Sequence, residues 1–151
     1  MVMKQNKLLH LFVHLGSVVF GGAFYIVIEL LWRGYSHWTM FFLGGLCFVA
    51  VGLLNELFPW NTPFPIQMIL GSGIVTTLEL IVGLIVNVYL GWAVWDYSGM
   101  PFNFMGQICL PYSLLWLLLS GAIIVAEDYI DYWCGIGERP RYYFRMNGGI
   151  E

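Results

Sequence analysis

Charge is what this sequence has least of. Of its 151 residues only 10% are Asp, Glu, Lys or Arg, while 60% are hydrophobic. A soluble domain carries about 25% charged residues. The deficit excludes an ordinary water-soluble domain and points to an integral membrane protein, read here as one domain. Six Lys and Arg in all, with no basic face among them, exclude nucleic-acid binding. The net charge of −3 says little about partners, because acids in so apolar a chain are expected to be buried.

Other absences narrow the chemistry. Cys47, Cys109 and Cys134 are odd in number and far apart. They have neither the spacing of a metal site nor that of a disulfide framework, and read as free thiols. There is no G-x-x-x-x-G-K-S/T phosphate loop, so any ATP-driven role needs another subunit. There is no G-x-S-x-G nucleophile elbow and no H-E-x-x-H metal helix. His10 and His14 stand at i,i+4, a spacing that suits a metal, but no third ligand lies near them in the sequence. No cofactor and no metal site is therefore assigned, and both histidines read as structural.

What is abundant is long apolar sequence. Crossing a bilayer takes about 20 mostly apolar residues. Four such segments are expected, at about 8–32, 39–58, 66–95 and 106–126, with a cytoplasmic tail over 127–151. The fold class is all-α: a compact bundle of four transmembrane helices with an interfacial C-terminal segment. The N-terminal apolar run is longer than the core of a signal peptide, and reads as the first membrane helix. Pro59, Pro63 and Pro65 break the chain between the second and third helices. Trp and Tyr at 32, 35, 38, 60, 92, 95 and 97 suit an interfacial belt, with the alternative that Trp92, Trp95 and Tyr97 beside Asp96 line an aromatic pocket mouth.

The most informative stretch is Ser72–Asn103. Within it Ser72, Thr76, Glu79, Gly83, Asn87 and Gly91 recur at helical spacing and fall on one face. An oily helix with such a stripe turns it toward protein and the rest toward lipid. Glu79 lies at mid-membrane depth. A lipid-facing charge there costs at least ~2.5–3.5 kcal/mol, so Glu79 needs a partner, a proton or a wet cavity. The first helix has its own stripe: His14, Ser17, Gly21, Tyr25, Glu29 and Arg33. Glu29 and Arg33 are i,i+4 and can pair. Asn55 and Glu56 sit at the end of the second helix, where snorkelling or loop capping is expected. After Ala126 the acids Glu127, Asp128 and Asp131 alternate with aromatics, which reads as an interfacial segment.

Four stretches resemble a known family. They are RGYSHWTMFFLGGLCF at 33–48, GLLNE at 52–56, VNVYLGWAVWDYSGMPFNFMGQICLPYSLLW at 86–116 and ERPRYYF at 138–144. They are similar to the bacterial "putative ABC-transporter type IV" membrane proteins. The WDYS…PFN…GQICL run is the specific part. The resemblance implies a small polytopic inner-membrane protein of Gram-positive-type bacteria, under a transporter label. It supplies no catalytic residue.

These observations lead to a membrane-embedded binding or permeation module of the transporter class, not to an enzyme. An outward-facing polar cavity is expected, lined by Glu29, Arg33, His37, Asn87, Asp96 and Asn103, with Glu79 at its floor. Two alternatives stand beside it. One is a membrane enzyme acting on a lipid or wall precursor, with Asp96 or Glu29 and His37 as acid–base groups. The other is a structural or regulatory subunit. Partners that fit are membrane lipid, a separate ATPase or permease subunit, and a second copy of the chain.

Lys4 and Lys7 precede the first helix, Arg139, Arg141 and Arg145 follow the last, and only Arg33 lies in the other loops. The positive-inside rule places both termini in the cytoplasm. Single cysteines introduced at Ser36 or Gly99 should therefore be labelled in intact cells, and those at Thr62 or Asn147 should not. Labelling at position 62 from outside would overturn this topology.

Overall fold

The computed structural model describes residues 7–59 and 61–144. Lys4, Trp60 and Arg145, which entered the charge and belt arguments, lie outside the described residues. The chain is all-α. Among the described residues, four helical stretches are long and apolar enough to cross a membrane: Lys7–Arg33, Trp38–Leu57, Phe64–Tyr89 and Leu110–Trp133. The protein is a multi-pass membrane protein. Its elements are α1 (Lys7–Arg33), α2 (Trp38–Gly52), a one-turn α3 (Leu54–Leu57), α4 (Phe64–Gly83), a π-helical turn (Leu84–Tyr89), the short strands β1 (Asn103–Phe104) and β2 (Ile108–Cys109), and α5 (Leu110–Trp133).

The described residues fall into two compact units. The first takes in residues up to Pro59 with Ile123–Tyr142; the second takes in Asn61–Ala122 with the residues from Tyr143. Helix α5 contributes its first half to the second unit and its second half to the first.

In the first unit α1 and α2 form an antiparallel pair joined by a short loop. Gly34 ends α1 at φ +78°, a left-handed conformation that glycine adopts without strain. Its N–H returns to the Leu30 carbonyl at 3.0 Å. His37 caps α2: its Nδ1 accepts from the Thr39 N–H at 3.4 Å and lies 2.7 Å from the Thr39 hydroxyl. Small residues let the two backbones come very close, as expected of helices packed in lipid. A Cβ at Gly45 would collide with the Val18 carbonyl oxygen, and one at Gly22 with the Phe41 carbonyl oxygen.

In the second unit α4 packs on the first half of α5. The Ser72 hydroxyl donates to the Ser113 carbonyl at 2.6 Å, and Thr76 pairs with the Ser113 hydroxyl at 3.0 Å. Of the stripe read from the sequence, Ser72, Glu79 and Gly83 are buried and Thr76 and Asn87 half-buried. Gly91 lies beyond the helix and is exposed.

The ends of two spans differ from expectation. The third span stops at Tyr89 rather than at Trp95. The Asn87 side chain accepts the Val94 N–H at 2.7 Å, which turns the chain back on itself. Gly91 and Ala93 take positive φ to make that turn. Trp95 is consequently buried, with its indole N–H on the Gln107 carbonyl at 3.0 Å, and is no belt residue. The last helix starts at Leu110 rather than Gly106, because Asn103–Cys109 form a small antiparallel hairpin. It continues to Trp133 instead of ending at Ala126, and Glu127, Asp128 and Asp131 are buried residues of that helix.

The α1–α2 crossing yields a stability test. Gly45→Val presses a side chain against backbone that cannot move aside, and overpacking of this kind costs about 1–3 kcal/mol. At Gly16 an added Cβ would meet nothing within 4 Å, so Gly16→Ala should keep or raise the melting temperature. Thermal unfolding in detergent checks both. A Gly45→Val protein as stable as the parent would overturn the close approach.

Candidate functional site

The second half of α5 carries three acids, and the first unit folds around them. Glu127 and Asp131 are one helical turn apart and share a face. Gly52, at the end of α2, leaves the space into which the Glu127 side chain fits; a Cβ there would overlap its carboxyl group. Glu127 is 2% exposed, Asp128 6% and Asp131 8%. Beside them lies a cavity of about 390 Å³, lined mainly by His10, Asn55, Glu56, Glu127, Asp128 and Asp131.

The three acids are treated differently. Asp128 is well held: Asn55 Nδ2 donates to its Oδ2 at 2.6 Å and the Tyr142 hydroxyl donates at 2.9 Å. Tyr142 follows the last helix. Burial, and then the Asp128 charge beside it, push its phenol well above the usual tyrosine range. Among the described residues, Glu127 Oε1 and Asp131 Oδ1 have no hydrogen-bond donor. The group facing Glu127 is His14 on α1, whose Nδ1 is 3.6 Å from Glu127 Oε1. Its other nitrogen, Nε2, is 3.8 Å from Glu56 Oε1. Two sets of donors thus converge, His10 with His14 and Glu56, and His14 with Glu127 and Asp131; within each set the donor atoms lie within 4.8 Å of one another. Imidazole and carboxylate groups so placed can hold a cation or pass a proton.

The seven residues singled out from the sequence divide between the two units. In the first, Arg33 Nη2 lies 2.7 Å from Glu29 Oε1, the i,i+4 pair expected from the spacing. Ser36 donates its hydroxyl proton to the other Glu29 oxygen, and the Arg33 guanidinium sits 4.6 Å from the centre of the Tyr35 ring. His37 follows as the cap of α2. In the second unit, Glu79 is buried and accepts from two donors on opposite oxygens, the Tyr97 hydroxyl at 2.9 Å and the Trp116 indole at 3.0 Å. Asn87 donates to Gln107 Oε1 at 2.8 Å as well as accepting from Val94. Asp96 is exposed and accepts from the Ser98 N–H at 2.8 Å and its hydroxyl at 2.9 Å. Those two bonds, the backbone one first, hold its carboxyl below the usual range. Asn103 donates to the Ser98 and Met100 carbonyls and braces the same loop.

Sequence reasoning passes over the acidic cluster. The His10–His14 spacing is its visible half. The acids that complete the cluster arrive from α3 and α5, far along the chain. The sequence signal that could have found them is an acid pair at i,i+4, Glu127 and Asp131, directly after an apolar run.

No curated protein and no solved structure matches this chain. A family model does, over residues 17–134, and its description is "Putative ABC-transporter type IV". That match takes in most of α1, all of α2 to α5 with the hairpin loop, and the acidic cluster apart from the two histidines, so the chain belongs to the family of that description.

Proposed function

We propose that this protein is the membrane-embedded component of an ABC-type transporter, and that the cavity beside Glu127 and Asp131 is the polar site it offers to a small solute or ion. One observation carries the reading: a cavity of about 390 Å³, ringed by carboxylates, opens among helices that are otherwise apolar. Ionisable groups inside membrane spans are expensive, and mark transport pathways by default. The family description supports a role alongside other transporter subunits. The sequence has no phosphate loop, so ATP hydrolysis falls to a separate subunit. With both termini in the cytoplasm, the cavity would face that side.

The test is reconstitution into liposomes with an ATPase subunit that co-purifies with the chain from its native membrane. ATP-dependent flux is expected in the parent, and a fall of at least tenfold in a Glu56→Gln/Asp131→Asn double variant with an unchanged melting temperature. Parental flux in that variant would remove the cavity from the pathway. An absence of ATP-dependent flux from every partnered preparation would remove the transporter role.

Glu79 is the second carboxylate this reading must place. Replacing it by Gln puts an N–H donor where one of two donors already points. Leaving a buried donor unsatisfied costs about 1–3 kcal/mol, so Glu79→Gln is expected to melt at a lower temperature and to keep its flux per folded molecule. A variant that kept its melting temperature and lost flux would instead assign Glu79 to coupling.

A further inference from the structure

We propose that His14, Glu127 and Asp131 bind one divalent first-row transition-metal ion, of the zinc class. The first argument is an unmet need. Glu127 and Asp131 are both more than nine-tenths buried, both line the cavity, and each has a carboxylate oxygen without a hydrogen-bond donor among the described residues. No Lys or Arg lines the cavity. Buried carboxylates are held by partners or by metals. Asp128, one residue from Glu127, shows the other solution, with Asn55 and Tyr142 as donors.

The second argument is distance. Zinc binds imidazole nitrogen and carboxylate oxygen at about 2.0–2.2 Å, so two donors on one tetrahedral ion sit roughly 3.4 Å apart. His14 Nδ1 and Glu127 Oε1 are 3.6 Å apart, too long for a good hydrogen bond and close to the edge of such a tetrahedron. The Asp131 donor lies within 4.8 Å of both, a gap that a rotamer adjustment closes when an ion arrives. The mixed donor set decides the class. Magnesium and calcium take oxygen ligands, whereas imidazole favours zinc and its neighbours.

The third argument concerns which nitrogen of His14 is used. A neutral imidazole has one lone pair and one N–H. Nδ1 faces Glu127, and Nε2 faces Glu56. The Glu56 side chain is half exposed, so water can satisfy it. It is suited to receive the Nε2 proton and hold the ring in place, the usual outer partner of a metal-bound histidine. The ion then lies on the buried side, and an open coordination position faces the cavity.

Binding of the ion does not depend on the chain being a transporter, and the test uses no flux. The full chain is prepared in detergent without a polyhistidine tag. A Cys134→Ser background removes the exposed thiol. The protein is stripped with chelator and titrated with Zn²⁺ by calorimetry, with Mg²⁺ as control. One zinc per chain, a raised melting temperature and no Mg²⁺ binding at the same concentration are expected. Asp131→Asn should weaken zinc binding at least tenfold, and His14→Ala should abolish it. If His14→Ala does not fold, Asp131→Asn decides. An absence of saturable zinc binding would overturn the proposal, as would Asp131→Asn binding as tightly as the parent, or Mg²⁺ competing on equal terms. Loss of binding in His10→Ala with none in Asp131→Asn would place the ion on the outer set of donors and overturn this assignment.

Discussion

A polar side chain within an apolar span has no water to fall back on, so its partner has to come from the protein. That requirement fixes much of what is described above. Glu79 is met by Tyr97 and Trp116, Asn87 by Gln107 and the Val94 amide, Ser72 by the Ser113 carbonyl, and Asp128 by Asn55 and Tyr142. Apart from the Asn87–Val94 turn, each pair joins residues 14 or more apart in sequence. Helices in lipid gain little from burying oily surface against one another. Such bonds, with the close glycine contacts, therefore do much to select which faces pack and in what register.

The same requirement gives the exceptions their meaning. A carboxylate with both oxygens accepting, like that of Glu79, has its needs met inside the fold. Glu127 and Asp131 are buried as deeply or nearly so, and each keeps an oxygen without a donor among the described residues. Here a solute or a metal ion would supply from outside what the fold does not supply from within.

How much of this the sequence disclosed follows from what hydropathy measures. The four spans were legible because length and apolarity alone define them. The Glu29–Arg33 pair was legible because helical spacing is local. The end of the third span was not. The apolar run continues through Trp95, while the turn is made by one hydrogen bond from the Asn87 side chain to the Val94 amide, which no average over a window can register. The acids after Ala126 mislead for a related reason. In the sequence, a rise in polarity reads as side chains exposed to water, whereas here the helix continues and these acids are buried against protein; hydropathy does not distinguish the two. The cluster around His14 needed tertiary contact to emerge at all, since its histidines, Glu56 and the α5 acids come from three separate elements.

Gly52 shows how little separates an open compartment from a filled one. The carboxyl group of Glu127 occupies the volume that a methyl group on residue 52 would claim. A chain with alanine there would have to swing the Glu127 carboxyl group, the flexible end of that side chain, out of its seat beside the cavity. Where the Glu127 carboxylate sits is thus set by the smallest increment of side-chain chemistry, one carbon atom that the sequence withholds.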